Sequence, residues 1–309
     1  MKFINNFPKH LYKENVLLSK YSSMRTGGIA KLVFYPACEN ELLAVVSELK
    51  NQNMSIKIFG NMGNVLFPDQ GIETPFIITQ KMCCKYTVEN NNETGFTPQD
   101  NQCYIYASCG TALTPFALSV CKNGYEGMEF AFGIPASVGG AIYMNAGAYG
   151  GEMGGVIKYV KCIDMQSLKF ELLTNEQCDF SYRHSAFQNN GKIIIGGYFC
   201  VNKGNRDEIM SKAHEHMNSR KLKQPLEYPS CGSAFKRPEG HFAGKLIEDC
   251  GLKGYSINGA CVSEKHAGFI VNKGTATSND VLKLIEAVQK TVFEIFGVML
   301  EPEIQIIHN

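Results

Sequence analysis

No two of the chain's twelve cysteines form a C-x-x-C pair; Cys83 and Cys84 are adjacent and the other ten are scattered. That spacing lacks the paired-cysteine pattern of common zinc sites and supplies no disulfide framework, so most are expected to be buried thiols in a reducing cytoplasm. His214 and His216 stand two apart on a segment that reads as helix, which turns them to different sides. No metal is expected. Charge imbalance is missing as well: 30 basic and 29 acidic side chains leave a net charge of +1. There is no overall field to collect nucleic acid and no basic run to suggest a DNA-binding or anionic-membrane surface, so neither partner is expected. The longest strongly apolar segment, "IIIGGYFCV" from Ile193, has nine residues, about half of what spans a bilayer, so no membrane insertion is expected. Lys9, His10, Lys13 and Glu14 interrupt the N-terminal apolar residues, unlike a signal peptide. There is no internal repeat or low-complexity tract.

What is present suits a cytoplasmic protein of about two domains: 309 residues, 44% hydrophobic. "ENELLAVVSELKNQN" places Leu42, Val45, Val46 and Leu49 on one helical face, and "SIKIFG" follows as a short strand ending in a glycine turn. "PFIITQ" and "CYIYAS" read as strands, and "LTPFALSVCKNG" as a helix stopped by Gly124. "GVIKYVKCIDMQSLKFELLT" reads as two strands around a turn, and "GKIIIGGYFCVN" as a buried strand. From Asn205 the texture turns polar and helical, which puts a domain boundary near residue 204. Beyond it, "HFAGKLIEDCGLKG" predicts a helix closed by Gly251, and "SNDVLKLIEAVQKTVFEIFG" a longer one capped near Ser278 or Asn279. "MLEPEIQII" reads as a strand. Strands dominate the middle and helices collect toward the end without regular alternation, which favours an α+β fold.

Two glycine-bearing stretches invite a ligand. "FGIPASVGGAIYMNAGAYGGE", Phe132 to Glu152, holds six glycines and no charge before its last residue. Glycine in regular structure costs roughly 0.5–1 kcal/mol relative to alanine, so the backbone there is bare for a reason, either tight packing of turns or close approach of a ligand. "FGNMGNVLFPD", Phe59 to Asp69, follows an apolar strand and can present backbone N–H groups to a phosphate. It is neither a Walker loop nor the dinucleotide fingerprint. Together the two loops suit a ligand with a diphosphate and a large planar group, such as a dinucleotide cofactor. Three polar residues stand in apolar or small surroundings: Arg183 in "FSYRHSAF", Ser233 in "CGSAF" and Glu303 in "LEPEIQII". Each also has a plainer reading, as a surface ion pair, a turn hydroxyl and the solvent face of an edge strand.

Seven motifs in order resemble the UDP-N-acetylenolpyruvoylglucosamine reductases. They are "SSMRTGG" at Ser22, "GNMGN" at Gly60, "GMEFAFGIPASVGGAIYMNAGAYGGE" at Gly127, "FSYRHSAF" at Phe180, "QP…CGSAFKRP" at Gln224, "GLKG…GACVSEKHAGFIVN" at Gly251 and "FGVMLEPEI" at Phe296. The resemblance implies an α+β fold: an FAD-binding module of the p-cresol methylhydroxylase/vanillyl-alcohol oxidase type, followed by a smaller α+β substrate-binding domain. The expected division is 1–204 for FAD, with a core of about 27–201 and a split into subdomains near residue 80, and 205–309 for substrate. FAD is the implied cofactor and NADPH the hydride donor for reduction of UDP-N-acetylglucosamine enolpyruvate, by a cytoplasmic monomer.

By the same resemblance Ser233 is the acid, and Arg183 and Glu303 stabilise developing charge. Strand periodicity alone does not separate Glu303 from Glu301, two residues away; the family match favours the glutamate after the proline. Implied cofactor contacts are Gly60, Asn61, Gly63, Asn64 and Val65 in the first loop. In the second stretch they are Ile134, Pro135, Ser137, Gly139, Gly140, Asn145, Gly147 and Ala148. Arg220, Gln224 and Arg237 are the implied substrate contacts. The short span from Arg183 to Ser233 is similar to the branch of the family without a tyrosine-bearing insertion.

The chain departs from the family pattern in three places. Met62 stands for a glycine and Gly63 for a serine, which removes a hydroxyl and requires Met62 to accept the glycine's backbone angles. Ala136 and Ser137 replace Gly and Thr, and Arg237 replaces an asparagine. Two other readings accommodate these residues: a flavin oxidoreductase with another substrate, and a non-catalytic nucleotide-binding module. Joint retention of Arg183, Ser233 and Glu303 argues against the second.

Overall fold

A computed structural model describes residues 2–83, 87–89 and 101–308. Cys84 lies outside them. The chain divides into two compact units that interleave in sequence: Met1–Lys13, Val33–Asn61 and Pro75–Ser219 form unit 1, and Glu14–Leu32, Met62–Thr74 and Arg220–Asn309 form unit 2.

In unit 1 a small parallel sheet pairs Val33 and Phe34 with Phe76 and Ile77, and Lys57–Phe59 with Phe76–Ile78. Helix α1, Glu39–Asn51, buries the predicted face of Leu42, Val45, Val46 and Leu49. A larger antiparallel sheet runs in the order Phe170–Thr174, Ile157–Asp164, Lys192–Lys203, Gln102–Ser108, Thr87–Glu89. The central strand is the predicted buried run. Helix α2, Leu113–Lys122, sets Phe116 on Phe199 at 4.9 Å between ring centres, and helix α3, Val138–Tyr143, lies on the same face through Ile142, against Gly197. That short helix, inside the glycine-rich stretch, is not evident from the sequence. Helix α4, Arg206–Lys223, starts where the texture changes, and the division between units falls within it. His214 meets the edge of Phe132, whereas His216 stacks on Tyr149, so the two histidines do face different partners.

Unit 2 carries a sheet in the order Ser230–Ser233, Phe269–Asn272, Ala260–Val262, Ser256–Ile257. Helix α5, Ala243–Asp249, closes at Gly251 as expected, and helix α6, Ser278–Phe296, packs Val281, Leu284, Ile285, Val288 and Val292 inward at helical spacing. The same core takes in Met24 and Leu66 from the early segments. Burying each such side chain contributes about 1.5–3 kcal/mol, which holds those segments to the C-terminal residues.

Two boundaries differ from expectation. Helix α6 is capped by Thr277, not Ser278 or Asn279: the Thr277 hydroxyl accepts from Asp280 N–H, and the Asp280 carboxylate accepts from Thr277 N–H. The carboxylate of Asp69 occupies the next two donors, Ser278 N–H and Asn279 N–H, at 2.8 and 2.9 Å. The segment "MLEPEIQII" forms a strand only at Gln305–Ile306, beside Val65–Leu66; ahead of it Pro302 makes an isolated antiparallel bridge with Phe235, closed by Glu303 N–H to the Ala234 carbonyl and Lys236 N–H to the Glu301 carbonyl.

Among the described residues every cysteine is a free thiol, and no three His, Cys, Asp or Glu side chains gather to hold a metal ion. Burial pushes the thiols of Cys109, Cys121, Cys162, Cys178 and Cys231 up to about 12. They stay protonated and poorly nucleophilic at neutral pH. No described helix is long and apolar enough to cross a membrane.

Candidate active site

The two glycine-bearing stretches meet inside unit 1. Asn61 Nδ2 donates to the Pro135 carbonyl at 2.9 Å, and a Cβ placed on Gly60 would fall 1.9 Å from Ser137 Oγ. Gly60 is therefore required for the approach, independent of any backbone angle. Thr114 Oγ1 donates to the Ile134 carbonyl, while Val138 N–H and Gly139 N–H donate to the carbonyls of Thr111 and Cys109. These bonds fix residues 134–139 as a rigid strip. Ser137 caps α3, its hydroxyl accepting from Gly140 N–H at 3.3 Å. Gly139, Gly140, Gly147 and Ala148 remain partly exposed, presenting backbone without bulky side chains.

Asn145 has a different setting from its neighbours in that stretch. It is fully buried; its Nδ2 donates to the Ser181 carbonyl and its Oδ1 accepts from Gly154 N–H, each at 2.8 Å. Its amide thereby anchors the turn that carries Arg183. Ser181 and His184 exchange backbone hydrogen bonds across a two-residue turn, and Arg183 at its tip holds φ +56°. A side chain in that region costs about 1–3 kcal/mol, strain the surroundings must offset. Gln188 Nε2 contributes by donating to the Arg183 carbonyl at 3.1 Å. The Arg183 guanidinium lies over Tyr182 and donates through Nη2 to the Gly147 carbonyl at 3.3 Å, so the arginine reaches the glycine-rich stretch.

The division between units falls inside the first loop, between Asn61 and Met62. Met62 holds φ +52° with its side chain buried, so the methionine does adopt a glycine-like backbone conformation. Gly63 is partly exposed, and Val65 pairs with Gln305 while its carbonyl accepts from Cys231 Sγ.

Ser233 and Glu303 come together in unit 2 through their backbones. Ser233 ends its strand after a register shift against Phe269–Asn272, and Gly232 beside it takes φ +77°, an angle that suits glycine. Such a bulge re-aims the side chain that follows. Glu303 N–H donates to the carbonyl of Ala234, the residue after Ser233, at 2.9 Å. Asn64 Nδ2 donates to the Glu303 carbonyl at 2.9 Å. Lys236 N–H donates to the Glu301 carbonyl, and the exposed Glu301 carboxylate pairs with Lys236 Nζ. Glu303 is partly buried. The two glutamates that periodicity left equivalent thus have different surroundings. Arg220, largely buried, donates to Gln224 Oε1 at 3.5 Å, whereas exposed Arg237 stacks over Phe242 at 4.0 Å.

Near Ser233, Ala234 N–H donates to the Gly268 carbonyl, and Gly268 N–H donates to His266 Nδ1 at 3.1 Å. Burial holds the His266 imidazole below its ordinary pKa and favours the neutral ring that accepts this bond. Neither the role of His266 nor Asn64's bond to Glu303 is evident from the sequence; the local signal for the former is its place in "SEKHAGF".

Comparison with known proteins covers both units. Residues 30–167 match the model of an FAD binding domain, and residues 224–307 that of the UDP-N-acetylenolpyruvoylglucosamine reductase C-terminal domain. The reductase of that name from Caldicellulosiruptor saccharolyticus is 42% identical over 292 residues, covering 94% of this chain and 90% of the relative. The one from Latilactobacillus sakei is 43% identical over 295 residues, with 96% and 93% covered. The crystal structure of the reductase from Thermus caldophilus superposes with a TM-score of 0.77 at 30% identity, covering 95% of this chain and 98% of that one. With such similarity along nearly its whole length, the chain belongs to the UDP-N-acetylenolpyruvoylglucosamine reductase family.

Proposed function

We propose that this protein catalyses the NADPH-dependent, FAD-mediated reduction of UDP-N-acetylglucosamine enolpyruvate to UDP-N-acetylmuramate, a step in peptidoglycan precursor synthesis. The observation that carries this reading is the 42% identity spread over 94% of the chain. The protein is an FAD-dependent oxidoreductase. The functional division runs along the sequence, 1–204 toward FAD and 205–309 toward substrate, and cuts across the interleaved compact units. The reading includes a cytoplasmic monomer.

The residues present fit the cofactor. Gly60 lets the first loop close onto Ser137, the strip of residues 134–139 is held rigid, and Gly139, Gly140, Gly147 and Ala148 offer accessible backbone. Ser137 accepts from Gly140 and keeps its own hydroxyl proton to donate. Asn61 fixes the first loop against the second. The chemistry FAD supplies when bound is relay of hydride from NADPH to the enolpyruvyl double bond.

Ser233 is assigned to deliver a proton to C2 of the enolpyruvyl group, completing the reduction after hydride reaches C3. A serine hydroxyl is a weak acid, so its contribution depends on position, and the bulge at Gly232 supports that role. Glu303 and Arg183 are assigned to stabilise the charge that develops on the carboxylate-bearing carbon. Two observations support these assignments: Glu303's main chain is anchored at both N–H and carbonyl, and Arg183 is held at a strained turn. Arg220, Gln224 and Arg237 are assigned to the UDP-sugar, and Arg183's bond to Gly147 keeps its guanidinium beside the flavin stretch.

Steady-state assay of the flavin-loaded protein tests the reading. NADPH consumption is expected to require the enolpyruvyl substrate and to yield UDP-N-acetylmuramate in equal amount. A folded, flavin-loaded protein with no such turnover would contradict it.

A further inference from the structure

The bond from Asn64 to Glu303 joins residues 239 positions apart. Val65 and Leu66 pair in parallel with Gln305 and Ile306; Gln305 N–H donates to the Asn64 carbonyl at 3.0 Å and Ile307 N–H to the Leu66 carbonyl at 3.0 Å. If that ladder continued unbroken, the backbone N–H of residue 64 would donate to the carbonyl of residue 303. The chain turns at Met62, φ +52°, and the donor to Glu303 is instead the Asn64 side-chain amide. On the other flank, Glu303 N–H is taken by the Ala234 carbonyl, next to Ser233. The main chain of Glu303 is thus gripped from two sides, and one grip is a single side chain.

We infer that Asn64 is a positioning residue for Glu303, setting the height of its carboxylate relative to Ser233, and that its side chain acts in the proton-and-charge half of the reaction. This rests on the function proposed above for Ser233 and Glu303. The Glu303 carbonyl needs a donor at this distance, and the asparagine amide supplies it with one methylene of reach. Aspartate at neutral pH has the same shape but offers only acceptors, setting like partial charges against each other.

This role replaces the cofactor contact that the family resemblance implies for Asn64, whose side-chain amide donates to the Glu303 carbonyl, and the two half-reactions separate the roles. In Asn64→Asp, flavin content and the rate of flavin reduction by NADPH are expected to match the unsubstituted protein. Oxidation of the reduced enzyme by the enolpyruvyl substrate is expected to slow about 10–100-fold, the size of effect usual for lost outer-shell support. Asn64→Ser, which keeps a shorter donor and adds no charge, should fold and lose less. In a Glu303→Ala background, Asn64→Ser should have no further effect, because a residue acting through Glu303 has nothing left to position.

Loss of flavin or equal slowing of both half-reactions in either variant would overturn the inference. So would full, independent slowing by Asn64→Ser in the Glu303→Ala background. Failure of the unsubstituted protein to reduce the substrate would overturn the functional reading itself, and this inference with it.

Discussion

The glycine-rich stretch of unit 1 and the Ser233–Glu303 meeting of unit 2 are built on opposite plans. The first works by subtraction: Gly60, Gly139, Gly140 and Gly147 remove side chains so that backbone can come close, and bonds such as Asn61 to Pro135 fix the bare strip. The second works by placement: a bulge at Gly232 and a broken ladder at Asn64 aim particular side chains. One loop, residues 60–64, contributes an asparagine to each. A change in the first region is expected to register as lost cofactor binding, and a change in the second as slowed chemistry with the cofactor retained.

Ser233→Ala should give the largest effect. Substrate reduction is expected to fall about 10²–10⁴-fold, the usual worth of a positioned proton donor, with flavin reduction by NADPH intact. Rapid-mixing traces of the two half-reactions check it, and loss of both would erase the distinction between the regions. Met62→Gly comes next. Relief of the positive-φ strain offers about 1 kcal/mol, but removal of a buried methionine side chain costs about 2–5 kcal/mol, so the variant should be less stable. Urea unfolding measures the sign; a gain would mean that backbone strain outweighs packing at this loop.

Gly60→Ala should cost less in stability but strike the other region. The new methyl group displaces the Ser137 hydroxyl and breaks its cap on Gly140, a loss of about 0.5–2 kcal/mol. Flavin retained after gel filtration should drop, while any enzyme that keeps its flavin should reduce substrate at the normal rate. The smallest effect is a pH dependence from His266. Its folded-state pKa lies below the ordinary imidazole value of about 6.5, so the unfolded chain takes up the proton first as pH falls. The stability that neutral His266 contributes is complete above that value and declines as pH drops through it toward the lower folded pKa. Comparing urea midpoints of the unsubstituted protein and His266→Gln across this range should show the slope only in the former.

Much of this organisation is legible in local sequence. Apolar spacing marks α1, the Gly124 stop marks α2, capping residues mark α6, and the apolar run from Ile193 marks the central strand, because these signals act over neighbouring residues. Glycine content marks the stretch 132–152, yet α3 within it has no local signature, since glycine gives no helical pattern to read. The cap of α6 fell one residue early because Thr277, Ser278 and Asn279 are all good capping types, and Asp280 decides among them only through the reciprocal bond. The last strand is short because the segment changes partner, from Phe235 at Pro302 to Val65–Leu66 at Gln305–Ile306. Least legible were the partnerships of Met24, Leu66 and Asn64 with C-terminal residues. Those depend on chain pairings more than 200 positions apart, to which no local period or propensity responds.

The most direct test of the central claim is an anaerobic single turnover. The flavin-loaded protein, reduced with one equivalent of NADPH, is mixed with UDP-N-acetylglucosamine enolpyruvate while flavin absorbance and product are followed. Reoxidation of the flavin with formation of one equivalent of UDP-N-acetylmuramate is expected. Flavin that stays reduced in the presence of substrate would contradict it.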